Sequence, residues 1–510
     1  MLSDMVLAVI HSRATFGIEA PPVTIEVHIS PGIPSLSMVG LPETAIKESK
    51  DRVRSALINS GFEFPPKRIT INLAPADLPK KEGGRFDLPI AIGVLLASEQ
   101  IEVDNISQYE FAGELALDGG LRPISGALPL TLAVKKVGRV LFLSKENADE
   151  SMLVRDVKIL AAGHLLEVCA HLAGSKIIEL YQKQSPPKAP EFKLDVSDVY
   201  GQEHAKRALE IAAAGGHSLL MIGPPGVGKT MLANRLITIL PEMNDDEALE
   251  TAALYSICGK KNHLDFWRIR PFRAPHHTAS SVALVGGSSP PRPGEVSLAH
   301  NGVLFLDELL EFNRGVLESL REPLESKHIT ISRAAHQAIF PAKFQLVVAM
   351  NPCPCGYYGD SRGGCNCTSD QVQRYLARIS GPFLDRIDLW VSVASLARNV
   401  LTSVEDYRAA SADIRAMVVQ AQEMAFSRAG KINADLANKE IEKFCVLSEE
   451  DKIFLEETID KFKFSARSYH RILKIARTIA DLDGQKSIQS RHLKEAVGYR
   501  RKFSIQHKNV

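Results

Sequence analysis

LLMIGPPGVGKT, residues 219–230, is an apolar run that delivers the chain into Gly223-x-x-x-x-Gly228-Lys229-Thr230. This spacing serves phosphate binding. The glycines let backbone N–H groups curl around a polyphosphate with no Cβ in the way, the lysine reaches the β/γ-phosphates, and the hydroxyl can hold Mg²⁺. Gly223, Pro224, Pro225, Gly226, Val227, Gly228, Lys229, Thr230 and Met231 are therefore the expected contacts to ATP, with Thr230 as a Mg²⁺ ligand. MLANRLITIL (231–240) has amphipathic helical spacing, so the helix opening at the loop aims its positive end at the phosphates. A strand, a glycine loop and a helix in this order predict an α/β nucleotide-binding core.

From Asp195 to about Ser395, strands and helices alternate, the signature of a parallel α/β sheet. VLFLDE (303–308) is an apolar strand ending in two carboxylates. Asp307 is placed to orient the Mg²⁺ shell and Glu308 to polarise water against the γ-phosphate, although acids at a strand end also serve as helix N-caps. FQLVVAMN (344–351) is a further buried strand whose polar terminus, Asn351, suits a γ-phosphate sensor or a turn before Pro352. NPCPCGYYGDSRGGCNC (351–367) follows at once. Its thiols, Cys353, Cys355, Cys365 and Cys367, can surround one tetrahedral structural Zn²⁺, or remain reduced loop cysteines, because the C-x-C spacing is tighter than usual. His276-His277 also offers metal-ligand residue types, but adjacent histidines usually point apart.

Composition bounds the rest. The chain has 510 residues, 45% of them hydrophobic, enough for several cores. A formal net charge of +1 means that any nucleic-acid surface must be a local patch. Seven cysteines argue against a disulfide framework and for a reducing cytoplasm. No apolar stretch reaches the length of a membrane span, and the start MLSDMVLAVIHSR, with Asp4 and no basic n-region, does not read as a signal peptide.

Residues 1–172 mix strands and helices. PVTIEVHIS (22–30) and RITINL (68–73) alternate as half-buried strands; ETAIKESKDRVRSALINSG has helical spacing through Ile46, Val53 and Leu57 and stops at Gly61. Residues 173–194 form a linker whose part QKQSPPKAPEF (182–192) is rich in proline and lysine. Residues 396–510 read as helices and end in a basic tail, the kind of run that is most often a solvated face.

This ordered set resembles the AAA+ superfamily. DVYGQEHAKRALEIAAAGG (198–216) is similar to its adenine-contacting segment, which places Val199, Tyr200 and Gly201 near the base. FLDRIDLW (383–390) resembles the segment bearing the arginine finger, at Arg386, and SARSYHRILKIARTIADLDG (465–484) the lid helix with the second sensor arginine, at Arg467. Arg471, one turn along the same face, is the alternative. A finger acts on a neighbour's nucleotide, so the resemblance implies a ring, usually a hexamer. Residues 240–302 are too long for a plain connection. Within them 270–302 resembles the helix-2 insertion of chelatase and MCM-type ATPases, with glycines and serines at 286–289 that could let a pore loop flex. HITISRAAHQAIFPAKFQ (328–345) resembles the hairpin before sensor 1, which makes Arg333 and His336 candidate DNA-phosphate contacts.

GELALDGGLRPISGALPLTLAVKKVG (113–138) and KEGGRFDLPIAIG (81–93) resemble the α+β, ribosomal-protein-S5-like proteolytic domain of Lon-type proteases. Arg85 stands where the catalytic serine belongs and Leu128 where its lysine belongs, so proteolysis is not supported. Over nearly its whole length the chain resembles ComM-type proteins, a Mg-chelatase-like AAA+ family linked to natural transformation. That resemblance implies a hexameric motor driving branch migration on single-stranded and branched DNA, including recombinase-coated DNA. The alternative it leaves is a chelatase-type ATPase remodelling a protein partner.

Overall fold

The computed structural model describes residues 6–40, 43–76, 78, 80, 83–182, 192–259, 266–288, 291–333, 336–360, 363–395 and 409–500. Five parallel strands form the central sheet, in the order Phe272–Arg273, Val303–Leu306, Gln345–Met350, Leu219–Ile222, Leu389–Ser392. Alternation within these apolar strands decides which core each residue joins. Leu219, Met221, Val303, Phe305, Val347 and Ala349 face one side; Leu220, Ile222, Leu304, Leu306, Leu346 and Val348 face the other.

The first side is covered by helix Glu203–Gly215 and by the helices of the C-terminal region, with Ile414, Val418, Ile472, Ile475 and Ile479 buried against it. That region carries helices Ser411–Ala429, Asn438–Phe444, Glu449–Phe462, Ala466–Leu482 and Ser490–Gly498, and no strand among its described residues. The basic tail is not merely a solvated face: Arg500 is buried and donates to Ile387 O and to Ser468 Oγ at 2.9 Å. The second side is covered by the antiparallel hairpin His328–Arg333/His336–Pro341, through Ile329, Ile331, Ala338 and Phe340.

The N-terminal region has its own core. Strands Val6–Arg13, Pro22–Ser30, Arg68–Ala74 and Ser35–Val39 lie side by side in that order. Val23, Ile25, Val27 and Ile29 are all buried, as the alternation requires, and so are Ile69, Ile71 and Leu73. Helix Glu43–Asn59 buries Val53 and Leu57, and Gly61 follows it at φ +81. A parallel sheet of Tyr109–Phe111, Val140–Ser144 and Lys158–Ala162 completes the region. Past Leu172 the chain still packs on it, Tyr181 N donating to Ile159 O at 2.9 Å; the proline-rich part of the linker, 183–191, lies outside the described residues.

This region is docked on the sheet-bearing region at two places. Helix Ala127–Val137 packs on helix Asp245–Ile257, joining Leu128, Leu153 and Val154 to Ala252 and Ala253. Ile18 packs against the hairpin's core, and a methyl group on Gly17 would stand 3.4 Å from Ile339 O.

Candidate functional site

All the phosphate-site residues lie at the C-terminal edge of the parallel sheet. Strand Leu219–Ile222 ends at Gly223, where a Cβ would collide with Val393 O of the neighbouring strand's exit, so only glycine fits. Gly226 and Gly228 hold φ of +74 and +92, and helix Lys229–Ile239 starts immediately after. Lys229 is buried. Its ammonium donates to Gly223 O and Pro224 O, both at 2.8 Å, and to Asn351 Oδ1 at 3.0 Å. Burial lowers its pKa, while the charges of Asp307 and Glu308 hold it up. Thr230 Oγ1 donates to Asp307 Oδ2 at 2.6 Å. A hydroxyl and a carboxylate this close beside a phosphate loop are the oxygen donors that Mg²⁺ takes. The loop, Lys229, Thr230, Asp307 and Asn351 thus converge on one place, and the donor set fits ATP with Mg²⁺.

Glu308, at φ +49, leaves its carboxylate exposed and 3.3 Å from His277 Nδ1. His277 is a site residue that the sequence did not disclose. It follows strand Phe272–Arg273, which pairs beside the strand carrying Glu308. The His276 and His277 rings lie together, centroids 4.1 Å apart, rather than pointing apart. Among the described residues the only group of three or more metal-ligating side chains is the cysteine cluster.

Val199 is buried, Tyr200 is exposed and Gly201 has φ +55. The segment is tied to the phosphate loop's helix by Arg235, which donates to Asp195 O at 2.8 Å and to Asp198 Oδ2 at 2.8 Å. Gln202 Nε2 reaches Ala394 O at 2.7 Å, and Met231 lies exposed in the helix's first turn.

Arg386, Arg467 and Arg471 gather at the opposite, N-terminal edge of the sheet. Arg386 donates to Pro382 O at 2.7 Å and to Glu325 Oε1 at 2.5 Å, and Arg467 approaches the same Glu325 oxygen at 3.7 Å. Arg467 is 60% exposed. Arg471 instead pairs with Asp388, whose carboxylate also accepts from Ser218 N and Ser218 Oγ, both at 3.0 Å. Burial works to raise the pKa of Asp388, but Arg471, His217 and the Ser218 amide outweigh it and hold the group well below the carboxylate range. Ser218 stands at the start of the strand that ends in the phosphate loop. A strand from Ser218 to Gly223 spans about 16 Å, which separates the arginines from their own chain's phosphate site.

The four cysteine sulfurs lie within 4.8 Å of one another, Cys353–Cys355 at 3.3 Å, Cys355–Cys365 at 3.6 Å and Cys353–Cys365 at 3.8 Å. Burial pushes the Cys353 thiol up; against the same push, the Tyr357 amide and Cys353 pull Cys355 down, towards the thiolate a metal binds. In the hairpin, Arg333 pairs with His336 at the turn end, while 334–335 lie outside the described residues. Gly286–Gly287 forms a ribbon with Arg292–Pro293, and a Cβ on Gly286 would come within 2.7 Å of Ile331 Cδ1. Gly286 thus permits close packing on the hairpin. Arg85 is buried and donates to Ser125 O at 2.5 Å; Leu128, fully buried, donates its N–H to Ser256 Oγ at 3.3 Å.

A parallel sheet with a phosphate loop, a Mg²⁺ carboxylate and a polar residue on three of its strands defines a P-loop nucleoside triphosphatase. Comparison with known proteins narrows the class. Residues 195–401 match the family model of magnesium chelatase, subunit ChlI; residues 25–147 match that of subunit ChlI of Mg-chelatase, and 408–500 that of the ChlI C-terminal part. The chain is 54% identical to "Competence protein ComM" of Haemophilus influenzae, over 97% of this chain and 98% of that protein. It is 51% identical to "Uncharacterized protein YifB" of Escherichia coli, covering 97% of each. A stretch of 179 residues is also 25% identical to "Lon protease 2" of Bacillus subtilis, 31% of this chain and 32% of that one. The chain belongs to the Mg-chelatase-like AAA+ ATPase family, in its ComM-type branch, and ATP and Mg²⁺ follow from that membership.

Proposed function

We propose that this chain is an ATP-driven hexameric DNA motor, a helicase that promotes branch migration in the cytoplasm while transforming DNA is integrated by homologous recombination. Lys229 and the loop grip the phosphates, Thr230 and Asp307 serve Mg²⁺, Glu308 activates water, and Asn351 reads the γ-phosphate through Lys229. Val199, Tyr200 and Gly201 flank the base. The observation that carries the ring is the placement of Arg386 and Arg467 on the sheet edge away from their own phosphate loop. Arg467, exposed where Arg471 is held by Asp388, is the better second sensor and can reach a neighbouring subunit's nucleotide; Arg386 is buried and paired with Glu325, so it must leave that pair to act as the finger.

The DNA half of the reading is supported by the Haemophilus relative, whose name ties it to competence. It is supported too by the hairpin bearing Arg333 and His336, against whose Ile331 the Gly286 backbone lies close, within the stretch read as a helix-2 insertion. Single-stranded, branched and recombinase-coated DNA are the partners in this reading, and no described helix is long and apolar enough to cross a membrane. Cys353, Cys355, Cys365 and Cys367 hold one structural zinc per chain, to be checked by metal analysis of protein purified without chelator. The units are 1–172, Lon-like; 173–194, linker; 195–395, ATPase; and 396–510, helical lid.

The deciding experiment measures ATPase rate with and without single-stranded and branched DNA, alongside particle size with ATP. A motor is stimulated by DNA. The magnesium chelatase models matching 195–401 and 408–500 favour a second reading, a remodelling ATPase acting on a protein partner, whose rate would ignore DNA.

A further inference from the structure

The cysteine loop touches the phosphate loop directly. Strand Gln345–Met350 hands over to Asn351, whose side chain receives Lys229, and two residues later Cys353 is fully buried. Gly356 N donates to Cys353 O at 3.0 Å, and Tyr358 N donates to Cys353 Sγ at 3.3 Å, so the chain folds back on the first cysteine. That fold-back lays the backbone of Gly356, at φ +87, flat against Pro225. A methyl group on Gly356 would stand 2.7 Å from Pro225 Cδ and 2.9 Å from Cγ, closer than any real Cβ contact.

Beyond this fold-back, the loop's described residues are shaped by local turns, Asp360 N donating to Tyr357 O and Gly363 N to Asp360 O, both at 3.1 Å. Within 351–367 they form neither helix nor strand, and Gly359, Gly363 and Gly364 all have positive φ, with no neighbour within 4 Å of a methyl group added at any of them. Closing such a chain costs entropy that a metal cross-link removes in a single step. Asp360 adds one anchor, accepting from Ser395 Oγ at 3.1 Å.

We infer that the four-thiolate metal site acts as a clamp on the nucleotide pocket: with metal bound, it seats Gly356 on Pro225 and fixes Asn351 at Lys229, and ATP affinity depends on it. This rests on the zinc reading above and deepens it. Gly356 is a positioning residue here, acting through the phosphate loop without touching the nucleotide.

The test uses the full chain without DNA, so it is independent of the motor reading. The Kd of a fluorescent ATP analogue is measured with Mg²⁺ in excess, before and after stripping by a zinc-selective chelator, and again after zinc is restored. Circular dichroism reports the fold throughout. Stripping should weaken binding on the order of tenfold, and zinc should restore it. Gly356→Ala should weaken binding by a similar factor, on the order of tenfold for an overpacked contact, at unchanged zinc content. If the protein as purified holds no zinc, the zinc reading fails and the clamp with it. If zinc is present but its removal, or Gly356→Ala, leaves Kd unchanged, the clamp is wrong and the zinc reading stands. Should the stripped protein lose its fold, Gly356→Ala alone decides.

Discussion

Replacing Arg467 and Arg471 by alanine in turn should separate two arginines that lie on one face of one helix. The Asp388 carboxylate is 12% exposed and its Arg471 partner 22%. Removing Arg471 strands a buried charge, a loss of about 3 to 5 kcal/mol for pairs of this kind. Ser218 still supplies an N–H and a hydroxyl, and His217 Nδ1 stands 3.7 Å away, which places the loss at the lower end. About 3 kcal/mol is a factor of about 150 in the folding equilibrium. The pH dependence has a definite sign. Asp388 is depressed in the folded state, so the stability it contributes is present above its unfolded pKa of about 4 and lost as pH falls towards the folded value. The gap in urea midpoint between wild type and Arg471→Ala should therefore be full at pH 7 and shrink below about pH 4. Arg467→Ala should unfold within about 0.5 kcal/mol of wild type, as exposed substitutions do, and lose ATPase. Mixing it with Lys229→Ala subunits should recover activity, because each supplies what the other lacks across a head-to-tail interface. If Arg471→Ala proves as stable as wild type yet inactive, while Arg467→Ala hydrolyses ATP normally, the two roles are reversed. If mixing recovers nothing, Arg467 does not act across an interface.

Lys229→Ala should abolish ATP binding or hydrolysis, whereas Glu308→Gln should bind ATP, hydrolyse it poorly and accumulate rings by light scattering; no rings with ATP would argue against nucleotide-driven assembly. His277→Ala releases Glu308 and should change the DNA-free ATPase rate at unchanged ATP affinity, measured by steady-state kinetics; an affinity loss instead would make His277 part of the binding pocket. Arg333→Ala should weaken DNA binding and lower its salt slope by roughly one for each phosphate it no longer neutralises, with branch migration falling further than basal ATPase. Equal loss of DNA-free ATPase would move Arg333 out of the DNA path. Ala253→Glu places a carboxylate against Leu128 and Leu153, and hydrogen exchange in 127–137 and 245–257 should rise; unchanged protection would mean the dock is not held by this contact.

What was legible in the sequence was what is local. The phosphate loop, the carboxylates of the Val303–Leu306 strand and Asn351 each sit at the end of an apolar run, and the run itself announces the strand. The half-buried strands read at 22–30 and 68–73 were equally plain, because period-two alternation survives in the burial pattern. Contacts made across the fold left no such trace. His277 meets Glu308 only because their strands are neighbours in the sheet, a pairing that no spacing encodes. Helical periodicity puts Arg467 and Arg471 on one face and is blind to Asp388, which captures only the second. Arg500 looked like part of a solvated tail, yet its guanidinium is buried over the Trp390 ring, 5.8 Å from its centroid.

The docking of helix Ala127–Val137 on helix Asp245–Ile257 bears on what could be rebuilt here. Arg85→Ser with Leu128→Lys would restore, on paper, the residue types of a Lon-type dyad. The new lysine would enter a space filled by Ala252 and Ala253, beneath a backbone whose Gly126 and Leu128 N–H groups are already spent on Ser256, at 2.9 and 3.3 Å. Its ammonium would either stay buried and unpaired, at a cost of several kcal/mol, or prise the two regions apart. No peptide could reach it while they stay together. In this chain the surface around Leu128 is itself the joint between the two regions, so anything that bound there would compete with the ATPase helix, and the helix is covalently present at all times.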